Sequence, residues 1–179
     1  MTADAITPNA PLIVTAQLSR SDQAWADGLR RVHYPTDRNL VPAHITLFHH
    51  LPPSLHAELR ALLKTLVNRA APEAALGQPF GSGGHVALAV ESAGLLEMRA
   101  IIADRFDRHL IPQDRALKRL HITVQNKVAP AVAKETLGLM RTQLRPRPLG
   151  IAGFAVWVYQ GGPWSALSQH RFRSPANAS

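Results

Sequence analysis

The 179-residue chain contains no cysteine. Disulfides, thiolate metal sites and a cysteine nucleophile are excluded, and any chemistry falls to histidines, hydroxyls, carboxylates and cations. No window approaches the roughly 18 consecutive apolar residues that a membrane-crossing helix requires. The opening Met-Thr-Ala-Asp-Ala-Ile-Thr-Pro has neither a basic stretch nor an apolar one behind it, so a soluble, cytoplasmic monomer is expected. Acidic residues are scarce: 12 Asp plus Glu face 20 Lys plus Arg, a formal charge of +8. Most of that excess is arginine, which suits bidentate contact with phosphate and points to an anionic ligand such as RNA or a nucleotide. Against these absences stands a 46 % apolar content, enough to build the core of one domain.

The patterning predicts an α+β protein. Residues 11–18 read as a strand, followed by a helix from Asp22 to His33 that stops before Tyr34-Pro35. Residues 44–51 form a second strand ended by Pro52-Pro53, and Ser54 caps a helix from Leu55 to about Ala70. Its apolar stripe of Leu55, Leu59, Leu62, Leu63 and Leu66 is core. The glycine-rich stretch from Gly77 to Gly84 reads as a loop or broken edge strand. A strand over His85–Val90, a helix from Ser92 to about His109, a strand over Leu120–Val128 and a helix from Pro130 to about Leu144 follow. Strands at 149–159 and 164–172 flank the Gly161-Gly162-Pro163 turn, and Ser174 to Ser179 reads as a frayed tail.

This order hides a duplication. His121-Ile122-Thr123 lies 77 positions after His44-Ile45-Thr46, and the same offset matches Pro53 with Pro130, Glu58 with Glu135, Leu62 with Leu139 and Thr65 with Thr142. One bilobal domain over 1–179 is expected, with repeats near 11–76 and 84–148 and closing strands near 149–173. Two such units cannot stack as a solenoid, so they must pack on one another as pseudo-symmetric lobes, antiparallel-rich sheets lining a central cleft and helices outside.

Residues i and i+2 of a strand share a face. His44 and Thr46 therefore point one way and Ile45 and Leu47 the other, and the second copy repeats this with His121 and Thr123. In-line displacement at phosphorus needs a base for the attacking oxygen and an acid for the leaving oxygen. Histidine can serve as either near neutral pH. The threonine hydroxyls can donate to the non-bridging oxygens.

Two His-x-Thr motifs, each on a strand of a duplicated α+β unit, resemble those of the 2H phosphoesterase superfamily, in particular its 2'-5' RNA ligase and RNA 2',3'-cyclic phosphodiesterase branch. The likeness extends over nearly the whole chain, including Gly161-Gly162-Pro163-Trp164. It implies a bilobal fold with a central cleft and metal-independent, cofactor-free hydrolysis of 2',3'-cyclic phosphates or related 2'-linked RNA or nucleotide phosphodiesters, with reversible 2'-5' RNA joining in some members. It further implies that His44 and His121 are the acid–base pair and Thr46 and Thr123 the phosphate binders. Familiar ligase-like members carry an arginine where this chain has Asn126, with Lys127 beside it.

Alternation adds substrate-binding candidates. Phe48 shares the His44 face and could stack on a base, and Gln125 and Lys127 share the His121 face. Arg38 before the first motif and Lys118-Arg119 before the second could form a basic rim. Tyr159 and Trp164 read as residues that close the core. His49 and His50 suggest a metal cluster with His44, but alternation turns His49 away and no nearby carboxylate completes a site. The rival to an enzyme is a module of the same fold that captures an RNA end or nucleotide without turnover.

Overall fold

A computed structural model describes residues 9–116 and 119–173. In chain order the elements are β1 (Leu12–Leu18), α1 (Arg20–His33), β2 (Ile45–Leu51), α2 (His56–Leu66), β3 (Ala74–Ser82), β4 (His85–Glu91) and α3 (Ala93–Arg105). There follow α4 (Pro112–Arg115), β5 (His121–Gln125), α5 (Pro130–Gln143), β6 (Arg147–Leu149), β7 (Ile151–Val158) and β8 (Ser165–Arg171). The strands of both repeats join in one antiparallel sheet, ordered β6-β3-β4-β5-β2-β1-β7-β8. At its centre β2 of the first repeat meets β5 of the second, with Ile45 opposite Ile122. Ile45 and Ile122 are the middle residues of the two His-Ile-Thr motifs, so this pairing sets the motif-bearing strands side by side. Lys118 and the residues from Ser174 onward lie outside the described residues.

The core follows the apolar faces. Ile45, Leu47, Ile122 and Val124 are fully buried in one cluster with Leu59 and Leu63 of α2, Leu95 and Ile102 of α3 and Met140 of α5. Ser19 rather than Asp22 begins α1: its hydroxyl accepts the Asp22 N–H, a serine N-cap. Ser54 does not cap α2, because a 3-10 turn over Pro53–Leu55 comes first.

The glycine-rich stretch is an ordered strand inside the sheet. β3 pairs with both β4 and β6, and Ser82 faces His85 across a two-residue Gly83-Gly84 turn. Gly83 has φ 58°, and a Cβ on Gly84 would lie 2.1 Å from the Val128 carbonyl oxygen. Glycine there makes a tight hairpin, a role that composition alone reads as a loop. Pro79 is tolerated because the register slips between Leu76 and Pro79.

The strand predicted over Leu120–Val128 ends at Gln125, since Lys127 has φ 59° and cannot continue a ladder. The strand predicted from 149 breaks at Gly150, whose N–H donates to Asp22 at 2.8 Å where the chain passes from the β3 edge to β1.

Candidate active site

Two β-bulges shape the site. On β2, Phe48 pairs with Val14 and Thr46 with Thr15, which leaves Leu47 without a partner. On β5, Gln125 pairs with Val86 and Thr123 with Ala87, which leaves Val124 without one. Leu47 and Val124 are equivalent positions in the repeat. One extra residue in a strand reverses the facing of everything beyond it.

Phe48 and Gln125, also equivalent, therefore turn into the core instead of the cleft. Phe48 is fully buried beneath the Arg99 guanidinium, 4.6 Å from its ring centre. Gln125 is buried and donates to the His33 carbonyl at 3.1 Å. Neither is a substrate-binding residue in this geometry. The next equivalent pair, His49 and Asn126, swings into the cleft.

A buried arginine meets each bulge from the other repeat. Arg99 of α3 donates to the Leu47 carbonyl at 3.1 Å, and Arg30 of α1 donates to the Thr123 carbonyl at 2.8 Å. Arg30 also donates to Asn39 and lies 4.2 Å over the Tyr34 ring, which fixes a cation in the cleft wall.

The cleft encloses about 490 Å³. His44, Thr46, His121 and Thr123 line it together, with Arg30, Arg38, His49, Asn126, Lys127, Tyr159 and Trp164 around them. With Ile45 opposite Ile122, antiparallel register sets His44 across from Thr123 and Thr46 across from His121. The imidazoles are then diagonal neighbours, a relation that separates side chains by about 7–8 Å or somewhat less.

Both rings are anchored alike. His44 Nδ1 is 2.7 Å from the Pro42 carbonyl oxygen and His121 Nδ1 is 3.1 Å from that of Arg119. A carbonyl only accepts, so each Nδ1 carries its proton and each Nε2 is left for the cleft.

Burial is the largest influence on His44 and holds its pKa down to about 4. The bond to Pro42 works the other way, while the charges of Arg30, His121 and His49 add to the depression. Trp164 packs against this ring at a tilt of 48° with 4.8 Å between centres, and Trp157 backs Trp164 at 6.2 Å. Trp164 and Tyr159 are thus cleft residues, not core closers.

This contact makes a prediction. Trp164→Ala opens His44 to water and should raise its pKa from about 4 toward the ordinary value of about 6.5. A histidine NMR titration reads this directly, and an unmoved His44 would mean that Trp164 does not cause the desolvation.

Arg38 and Lys127 line the cleft, and Arg38 leans on Asp37 at 3.7 Å. Arg119 does not line it: its guanidinium lies 4.4 Å over the Phe80 ring, and its contribution is the carbonyl that holds His121.

Besides Arg30, two residues escaped sequence reasoning. His85 Nε2 lies 3.2 Å from Thr123 Oγ1, with its ring 6.0 Å from that of His121. Burial, then the charge of His121, lowers its pKa. Asp114 is buried on α4 and bonds His49, so the carboxylate absent from the local sequence arrives from 65 residues away. No local pattern announces either contact.

A sheet of this order with two His-x-Thr strands at its centre is the architecture of a 2H phosphoesterase. A model of the 2'-5' RNA ligase superfamily matches residues 18–163, and the chain belongs to that superfamily. Among solved structures, TT0787 of Thermus thermophilus aligns with TM-score 0.59 and 19 % identity, covering 93 % of this chain and all of the other. E. coli LigT complexed with 3'-AMP aligns with TM-score 0.56 and 12 % identity over 93 % of this chain and 99 % of its own. No curated protein sequence matches. Among the described residues no helix is long and apolar enough to cross a membrane.

Proposed function

We propose that this protein is a phosphodiesterase that opens 2',3'-cyclic phosphates or related 2'-linked phosphodiesters at RNA ends, and that a 5'-hydroxyl taking the place of water lets the same step join 2'-5' ends reversibly. The observation that carries this reading is the matched anchoring of His44 and His121, which leaves two Nε2 atoms facing one cleft. A pocket that merely bound a nucleotide would have no need for both.

His44, held neutral at pH 7 by burial, is the base: its Nε2 takes the proton of the attacking water. The water oxygen bonds to phosphorus as the P–O bond to the ribose breaks, and His121 gives its Nε2 proton to the departing oxygen. In joining, a 5'-hydroxyl replaces water: its oxygen bonds to phosphorus as the bond to the ribose 3' oxygen breaks, and in the reverse the 3' oxygen attacks and the 5' oxygen leaves with the proton. The Thr46 and Thr123 hydroxyls and the Arg30 charge stabilise the pentacoordinate phosphorus. That LigT, which shares this fold, was captured with 3'-AMP supports a nucleotide as the kind of ligand.

Turnover of 2',3'-cyclic nucleotides in EDTA is the deciding experiment. Hydrolysis at an unchanged rate is expected. Binding without turnover would favour the capture module, and activity restored only by a divalent ion would replace this mechanism.

Arg30, Arg38 and Lys127 line the cleft, so affinity for an RNA end should fall as salt rises, because bound counterions are released. Salt-independent binding would dissociate the +8 charge from the ligand.

A further inference from the structure

His49 is a third cleft histidine for which acid–base chemistry between His44 and His121 has no use. Its surroundings are more elaborate than a surface side chain needs. His49 Nδ1 is 2.8 Å from Asp114 Oδ1, and the backbone N–H groups of His49 and His50 donate to the same carboxylate at 2.9–3.1 Å. Asp114 is 1 % exposed. Burial works to raise its pKa, but the bonds from His49 and His50 outweigh burial and hold it below the usual carboxylate range. Arg99 fixes α4 by donating to the Asp114 carbonyl while it holds the β2 bulge. The bulge that buries Phe48 thus delivers His49 to the cleft, and a buried anion locks the ring with only Nε2 free.

An imidazole whose Nδ1–H is held by a carboxylate can carry a second proton on Nε2 and present it to an anion. Its distance from the reaction centre identifies which anion. Allowing for the bulge, His49 lies about two strand positions beyond Thr46, or roughly 7 Å. That is the spacing between successive phosphates along a nucleotide chain.

We infer that the Asp114–His49 pair is a subsite for a second phosphate, the one on the 5' oxygen of the nucleotide whose 2',3' end lies between His44 and His121. This rests on the proposed phosphodiesterase function and sharpens it: the preferred substrate is an RNA end or a 5'-phosphorylated nucleotide, not a lone nucleoside cyclic phosphate. His49 touches the phosphate, and Asp114 is a positioning residue.

Calorimetric binding of adenosine 3'-monophosphate and adenosine 3',5'-bisphosphate tests this without requiring turnover. The protein should favour the bisphosphate by roughly tenfold to a hundredfold, the weight of one charge-assisted hydrogen bond. His49→Gln should erase the preference: bisphosphate affinity should fall to that of the monophosphate, and monophosphate affinity, which His49 touches only through its charge on His44, should fall by far less. Asp114→Asn should erase it too, in protein shown to be folded by thermal unfolding. The His49 ring nitrogen resonances should move with the bisphosphate and not with the monophosphate.

Equal affinity for the two ligands in the unmodified protein, or equal loss of both in His49→Gln, overturns the subsite and leaves the proposed function standing. Failure of the unmodified protein to bind either ligand overturns the proposed function and the subsite together.

Discussion

His44→Ala and His121→Ala should each lower kcat by roughly 10² to 10⁴, the usual weight of one positioned proton-transfer group. The double variant should fall little further, because a pair acting as a unit is strongly non-additive. Thr46→Ala and Thr123→Ala should cost less, on the order of 10 to 10³, as each removes one donor to a charge that Arg30 and the other hydroxyl also stabilise. His44 is protonated only below about pH 4, so kcat/KM should rise through that value as the base is freed. Steady-state kinetics across pH on the four variants checks all of this. Near-full activity in either histidine variant would leave that motif structural and return the cleft to a binding role.

The sequence revealed the site as far as periodicity held. His44 to Thr46 and His121 to Thr123 are three-residue stretches in which strand alternation is undisturbed, so their common facing could be read directly. One residue later the bulges at Leu47 and Val124 intervene, and alternation assigns Phe48, His49 and Gln125 to the wrong sides. Nothing in Leu-Phe-His-His or Val-Gln-Asn-Lys announces a bulge, because its cause is tertiary: Arg99 and Arg30 reach across from the opposite repeats to bind the nearby carbonyls. Asp114 on a four-residue helix joins the site through a contact 65 residues away in sequence, and His85 at a hairpin stem through the pairing of β4 with β5. Gly77 to Gly84 failed for a different reason. Glycine marks both loops and close strand approach, and only the register of β3 with β4 separates the two.

The bulge itself can be tested through the residue it misdirects. Phe48→Ala should destabilise the protein by about 3–5 kcal/mol, the cost of deleting a fully buried aromatic side chain and leaving a cavity. Phe48 is 0 % exposed and its ring supports the Arg99 guanidinium, so the loss also leaves a buried cation without its packing partner. For a chain of this length that is a drop in Tm of roughly 6 to 20 °C. Catalysis should respond differently: below the lowered Tm, KM for a cyclic nucleotide should stay within about twofold, because the ring makes no stacking contact with a base. Were alternation unbroken and Phe48 a base-stacking residue in the cleft, the pattern would invert. KM would rise by roughly tenfold, the weight of about 1–3 kcal/mol of stacking, while Tm barely moved. Thermal unfolding and initial-rate kinetics on this one variant therefore decide on which side of the sheet residue 48 lies, and with it whether His49 faces the substrate.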